Sequence, residues 1–190
     1  MSAEIFKILL IGPPNVGKSS LVKRFTADEF EDSYIATAGV SLSISRMDFP
    51  EGRIVLTLLD LGGQESYRDL RNRFYQGAHY VILVYDRTDR STFQQIPKWY
   101  ESFCRNVCVP QSIFVPGALV ANKVDLSEKE EVSSEEGKQL ANILAWDYFE
   151  TSAVTGVNVS ELFIKAAYSS RRQRCNPPLE SDPYVEKDLS

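Results

Sequence analysis

Three short stretches of the chain carry side chains able to act together on a phosphorylated nucleotide. The first, GPPNVGKS, runs from Gly12 to Ser19 and fits G-x-x-x-x-G-K-[ST] between an apolar run and a helix-like segment. Successive backbone N–H groups and a helix N-terminus there can surround a phosphate. Gly17 lets the main chain come close, Lys18 neutralises β- and γ-oxygens, and Ser19 offers a hydroxyl to Mg²⁺. Pro13 and Pro14 have no N–H, so the anion contacts begin at Asn15. The alternative is a chance match in a Gly-rich turn, against which the strand–helix context argues.

The second stretch is NKVD, Asn122–Asp125, directly after an apolar run. An Asp125 carboxylate can accept from guanine N1–H and the 2-amino group together, whereas adenine offers neither donor. A hydrogen bond to a charged group contributes about 1.5–3 kcal/mol, so two of them separate GTP from ATP by about a hundredfold or more. A solvated turn after a strand is the bland alternative. The third stretch is DLGGQE, Asp60–Glu65. Asp60 suits an Mg²⁺ position, Gly63 can give its N–H to a γ-phosphate, and Gln64 can orient an attacking water. Taken alone, Gln64 could equally be an exposed loop amide.

The surrounding patterns predict what must position these groups. IFKILLIG, YVILVYD and GALVANK read as strands buried on both faces. VSLSISRMDF alternates, and PEG turns it into RIVLTLLD as a hairpin. YFETSA supplies a last strand. KSSLVKRFTA, STFQQIPKWYESFCRN, SSEEGKQLANILA and NVSELFIKAAYSSRRQ have helical periodicity, with Ser134 and Asn158 as candidate caps. Alternating strand and helix predicts an α/β fold: a mostly parallel six-stranded sheet with one antiparallel edge strand and helices on both faces. Ligands of such sheets sit beyond the carboxyl ends of the strands. The expected organisation is one domain over residues 1–174 and a disordered tail over 175–190, rich in Pro and acid.

Composition narrows the function classes. A net charge of −5 argues against non-specific nucleic-acid binding. The N-terminal apolar run is too short to span a bilayer and has no secretory cleavage pattern, which predicts a cytoplasmic protein. The three cysteines, Cys104, Cys108 and Cys175, form no disulfide framework. Cys104 and Cys108 are one helical turn apart but lack a second ligand pair, so they read as small packed side chains rather than a metal site. His79, the one histidine, is read as structural. The arginines of RDLRNR, residues 68–73, are read as exposed charges rather than an arginine finger.

GPPNVGKSS, YIATAGVSL, DLGGQE, NKVD and ETSA together resemble, in order and spacing, the Ras-superfamily small GTPases over about residues 4–172. FYQGAHY and LVYDRT look like the Rab branch. The resemblance implies the small-GTPase G domain, Mg²⁺ as cofactor and GTP or GDP as bound nucleotide. It extends the nucleotide-binding set to Asn15, Val16, Gly17, Lys18, Ser19, Ser20, Phe30, Tyr34, Thr37, Gly63, Asn122, Lys123, Asp125, Ser152 and Ala153. Ser19, Thr37 and Asp60 would hold the metal, and Lys18, Thr37, Gly63 and Gln64 would serve hydrolysis. In that pattern Phe30 packs on the guanine edge and the Lys123 stem lies along the base. Asn122 ties loops together, and the Ser152–Ala153 backbone reads the guanine oxygen. His79 falls away from the nucleotide. Low intrinsic turnover follows, because no Arg is clearly placed in cis. Effectors, an activator and an exchange factor would meet the two switch loops.

Several positions depart from the Rab pattern. AGVSL stands where Rabs usually read I-G-V-D-F, Leu59 replaces a frequent Trp, DLGGQ replaces D-T-A-G-Q, and Val154 stands in place of the usual Lys. Different partners follow from the lost aromatic patch. The chain ends KDLS with Cys175 internal, and Ser2 follows Met1, so no prenyl or myristoyl signal is evident. A Rab-like chain of this kind resembles the intraflagellar-transport Rab-like subunits, which would place it at a cilium or flagellum. Two classes stay open beside an ordinary vesicle-traffic Rab: a cycling GTPase, or a GTP-bound constitutive subunit of a transport complex. A P-loop kinase using ATP would require Asp125 to be irrelevant.

Overall fold

The computed structural model describes residues 3–27, 35–37, 39–107 and 114–175, the side chains of 35–37 and 175 excepted. Phe30, Tyr34 and Cys108 therefore lie outside the described residues, as do residues 176–190 of the expected tail.

The elements in chain order are β1 (Glu4–Ile11), α1 (Lys18–Thr26), β2 (Ile35–Thr37), β3 (Val40–Phe49), β4 (Gly52–Leu61), a 3-10 turn at Glu65–Tyr67 and α2 (Arg68–Phe74). There follow β5 (Tyr80–Asp86), α3 (Arg90–Gln94), α4 (Ile96–Asn106), β6 (Gly117–Asn122), a 3-10 turn at Ser127–Lys129, α5 (Ser134–Leu144), β7 (Asp147–Thr151) and α6 (Val159–Cys175). The strand order is β2-β3-β4-β1-β5-β6-β7. β4, β1, β5, β6 and β7 run parallel, and β3 is antiparallel to β4 as the hairpin pattern predicts. The six expected strands are all present, and the three residues of β2 extend the sheet antiparallel to β3.

The apolar runs form central strands because both of their faces are covered. In β1, Phe6, Ile8 and Leu10 face one helical layer while Leu9 and Ile11 face the other. β5 divides in the same way, Tyr80, Ile82 and Val84 against Val81, Leu83 and Tyr85. α1 and α6 cover the first face with Leu21, Val22, Leu162, Phe163 and Ala166. Phe25 and Phe163 stack there with ring centroids 4.1 Å apart, joining the two helices. α4 and α5 cover the second face with Ile96, Trp99, Phe103, Ala141 and Leu144. Burying each large side chain of this kind stabilises the fold by about 1.5–3 kcal/mol.

Three local details differ from the sequence expectation. STFQQIPKWYESFCRN is two helices, because Pro97 has no N–H to continue α3 and instead opens α4 in its first turn. Ser133, not Ser134, caps α5, in a reciprocal capping box with Glu136. Ser134 is the first helical residue, and its hydroxyl donates to Glu150. Asn158 gives its side-chain amide to the Glu150 carbonyl (2.8 Å), so only its backbone carbonyl starts the bonding of α6.

His79 sits at the amino end of β5, opposite the end where the chemical motifs gather. Its Nδ1 accepts the Lys7 N–H at 3.0 Å, and its ring meets Phe6 edge-on. Burial lowers its pKa. The histidine thus acts as a bridge between strands. Among the described residues no helix is long and apolar enough to cross a membrane.

Candidate functional site

The loop between β1 and α1 folds back over the carboxyl end of the sheet. Gly17 caps α1 with a φ of 98°, and a Cβ there would meet the Asn122 amide nitrogen at 2.3 Å. Gly63 is fixed by close approach instead, since a Cβ would lie 2.4 Å from the Pro14 nitrogen. The loop after β4 therefore presses directly on the loop after β1. Between them is a cavity of about 450 Å³ lined by Asn15, Gly17, Lys18, Ser19, Ser20, Asp60, Gly63 and Gln64. The sequence had singled out each of these, and their convergence at one point is what the strand–loop–helix order requires.

The donor set in this cavity has a definite electrostatic character. Lys18 is buried, and its Nζ donates to the carbonyls of Gly12 (3.0 Å) and Pro13 (2.8 Å). Burial pushes its pKa down to about 8, with Asp60 opposing the shift and Arg71 adding to it. An ammonium held mainly by carbonyl dipoles lacks a full counter-charge, and an anion at the N-terminus of α1 would supply one. The Ser19 hydroxyl donates to the buried carboxylate of Asp60. A hydroxyl and a carboxylate in contact beside a phosphate cradle are hard oxygen ligands suited to Mg²⁺, which commonly takes one or two protein oxygens and completes its shell with water and phosphate. The residues present fit that ion together with a polyphosphate. Thr37 closes β2, and its side chain lies outside the described residues.

A second group stands at the ends of β6 and β7. Asn122 is buried; its amide donates to the Val16 carbonyl (2.9 Å), and its oxygen accepts from the Thr151 hydroxyl (3.1 Å). One side chain thereby joins the phosphate loop to both strands. Lys123 has a left-handed backbone (φ 68°), and its Nζ pairs with Asp86 at 2.5 Å. Asp125 is exposed two residues further on. Ser152 is buried and takes part in a tight turn, its hydroxyl accepting the Thr155 N–H at 3.0 Å. Ala153 follows it half-buried, and Val154 is exposed.

Some participants escaped the sequence reading. Arg71, expected among exposed charges, is buried: Nη1 donates to the carbonyls of Gly62 (2.8 Å) and Gln64 (3.2 Å), and the guanidinium lies 4.2 Å from the Trp99 ring centroid. Arg68 and Arg73 are exposed as expected. The interior position of Arg71 follows from α2 packing on α4, which the pattern of charges conceals. The Tyr67 ring lies against Gly39 and Gly62 and lines the same cavity. Asp86 had a visible signal, being the one acid at the end of an otherwise apolar strand. Leu59, read as a lost aromatic of a partner surface, is an interior residue, 4% exposed, paired with Leu42.

Residues 7–172 match the Ras family. The chain is 38% identical over 178 residues to the Ras-related protein Rab-8B of Dictyostelium discoideum, covering 94% of this chain and 86% of that protein. It is 39% identical over 164 residues to the Ras-related protein Rab-13 of Rattus norvegicus, covering 86% and 79%. To the GTP-binding protein ypt2 of Schizosaccharomyces pombe it is 37% identical over 170 residues, covering 90% and 83%.

Proposed function

The chain belongs to the Ras family of small GTPases, on its Rab-like branch, and from that premise we propose how its own residues bind and hydrolyse the nucleotide. Members of this family bind guanine nucleotide with Mg²⁺, hydrolyse GTP and meet effectors, activators and exchange factors through their switch segments. Here the N–H groups of the Asn15–Ser20 turn receive the β-phosphate, and Lys18 neutralises β- and γ-oxygens. Ser19, Asp60 and Thr37 would hold Mg²⁺, which supplies positive charge at the transferring phosphoryl group. Gly63 gives its N–H to the γ-phosphate, and Gln64 orients the water that attacks the γ-phosphorus while the bridging oxygen leaves with GDP.

The base would lie along the Lys123 stem, with Phe30 as the aromatic at its edge and Tyr34 as a further nucleotide-binding residue. Asp125 accepts from guanine N1–H and the 2-amino group, and the Ser152–Ala153 backbone reads the guanine oxygen. Intrinsic turnover is slow, of the order of 10⁻⁴–10⁻³ s⁻¹. Contacts to Thr37 and Gly63 exist with the triphosphate and are lost with the diphosphate, which switches partner binding. The GTPase domain spans residues 1–174.

The observation that carries this reading is the meeting of Lys18, Ser19, Asp60, Gly63 and Gln64 around one cavity. The protein works at cytoplasmic surfaces in intracellular transport, and the departures at residues 38–42 favour the intraflagellar kind through a protein partner. A second reading, a GTP-bound subunit with negligible hydrolysis, draws on the same departures. Competition between GTP and ATP for the purified protein tests the nucleotide: GTP should win by at least about a hundredfold. Equal competition would remove Asp125 from its role. Pull-down from cells with GTP- and GDP-locked protein separates flagellar-train partners from vesicle tethers.

A further inference from the structure

Asp86 ends β5 beside Asn122 in the register of the sheet. It is 7% exposed, and each of its carboxylate oxygens is engaged. Oδ1 accepts from the Thr88 N–H (2.9 Å) and the Thr88 hydroxyl (2.7 Å). Oδ2 accepts from Lys123 Nζ at 2.5 Å. The Asp86 backbone is pinned as well, its N–H donating to the Thr92 hydroxyl at 3.0 Å. A carboxylate so buried and so fixed is a rigid anchor, and what it anchors is the longest side chain of the NKVD loop.

We propose that Asp86 is a positioning residue for guanine-nucleotide binding: it holds the Lys123 ammonium at the rear of the site, so that the lysine stem stays extended and the Asp125 carboxylate stays free. The inference deepens the proposed nucleotide site and rests on it. Lys123 already has the left-handed backbone that non-glycine residues rarely take. Its two ends, φ of 68° at the backbone and an ion pair at Nζ, fix the chain between them. The four methylenes then form an apolar strip of set direction, suited to lie along a planar base. Without Asp86 the ammonium would be free to search for another carboxylate, and exposed Asp125 lies two residues away on the same loop. A lysine paired with Asp125 would neutralise the group that accepts from the base.

The test is dissociation of a fluorescent GDP analogue from the full chain, chased with excess GDP, in wild type, Asp86→Asn, Lys123→Met and the double variant. Asp86→Asn keeps the side-chain shape and the Thr88 contacts on its oxygen. It should speed release at least fivefold in the wild-type background and less than twofold in the Lys123→Met background. Thr88→Val, which removes one hydroxyl bond to Asp86 while sparing the Lys123 pair, should stay within twofold of wild type. An equal acceleration by Asp86→Asn in both backgrounds, or none in wild type, overturns the proposal, as does a Thr88→Val effect as large as that of Asp86→Asn. Wild-type protein that retains no guanine nucleotide would instead refute the nucleotide site itself, so the two failures are distinguishable.

Discussion

Replacing Asn122 by alanine cuts a side chain that binds the phosphate loop to the ends of two strands. The wild-type amide makes two buried hydrogen bonds, to the Val16 carbonyl at 2.9 Å and from the Thr151 hydroxyl at 3.1 Å. Both partner residues are fully buried. Orphaning a buried polar group costs about 1–3 kcal/mol. The carbonyl is fixed and takes the middle of that range, about 2, while the hydroxyl can rotate toward another acceptor and takes about 1. Their sum, about 3 kcal/mol, corresponds to a factor of about 150 in an equilibrium constant. The 12–19 loop and the 122–125 loop that the amide ties are the two segments the nucleotide bridges, so slackening the tie should be felt in nucleotide release. GDP release from Asn122→Ala should therefore quicken by about a hundredfold, measured by chase of a fluorescent GDP analogue. Thr151→Val disturbs only one of the two bonds and should quicken release by less than about tenfold. If Asn122→Ala lowered the melting temperature in excess GDP yet changed release by under threefold, the tie would be a packing element and the reasoning would fail.

The buried Lys18 predicts a proton linkage. Its pKa is about 8 in the fold against 10.5 for an ordinary lysine, so between those values the unfolded chain binds the extra proton. The nucleotide-free fold therefore gains stability as pH rises through that window. A bound phosphate restores the charge, so GDP binding at pH 8 should take up about half a proton, read by calorimetry in buffers of different ionisation enthalpy. No uptake would contradict the burial argument. Gln64→Leu should lower single-turnover hydrolysis by about tenfold or more with GTP affinity little changed, and an unaltered rate would remove Gln64 from the mechanism. Ser19→Asn exchanges the hydroxyl that touches Asp60 for a bulkier amide. It should weaken Mg²⁺-dependent GTP binding well beyond GDP binding without metal, and equal losses in both would argue against Ser19 as a metal ligand.

The sheet and its phosphate loop were legible because each rests on local rules. Continuous apolar runs demand two covered faces, and a Gly-rich turn between strand and helix leaves backbone N–H groups pointing outward. Groups that act across elements left weaker marks. Arg71 lies in RDLRNR among other charges, and nothing in that string separates the buried arginine from its exposed neighbours. Its place follows from the packing of α2 against Trp99 of α4, twenty-odd residues along the chain. Leu59 erred in the opposite direction: read as a surface position by analogy, it faces the interior because β4 is covered on both sides.

These failures share a physical origin, and it bears on how the switch segment is held. DLGGQ has two adjacent glycines, which increase the entropy lost when the segment is ordered. Arg71 offsets that cost from within the same segment by donating to the carbonyls of Gly62 and Gln64 and lying over Trp99. Tyr67 adds a ring against Gly39 and Gly62 from the other side. Gly63 provides the close approach to the phosphate loop and Gly62 the one to Gly39, and the arginine and tyrosine restore the order that the glycines remove. Neither half of this arrangement explains itself in the sequence: the glycines look merely permissive and the arginine merely soluble. Only their contact shows that a flexible backbone next to the site is braced by a cation whose guanidinium is directed inward.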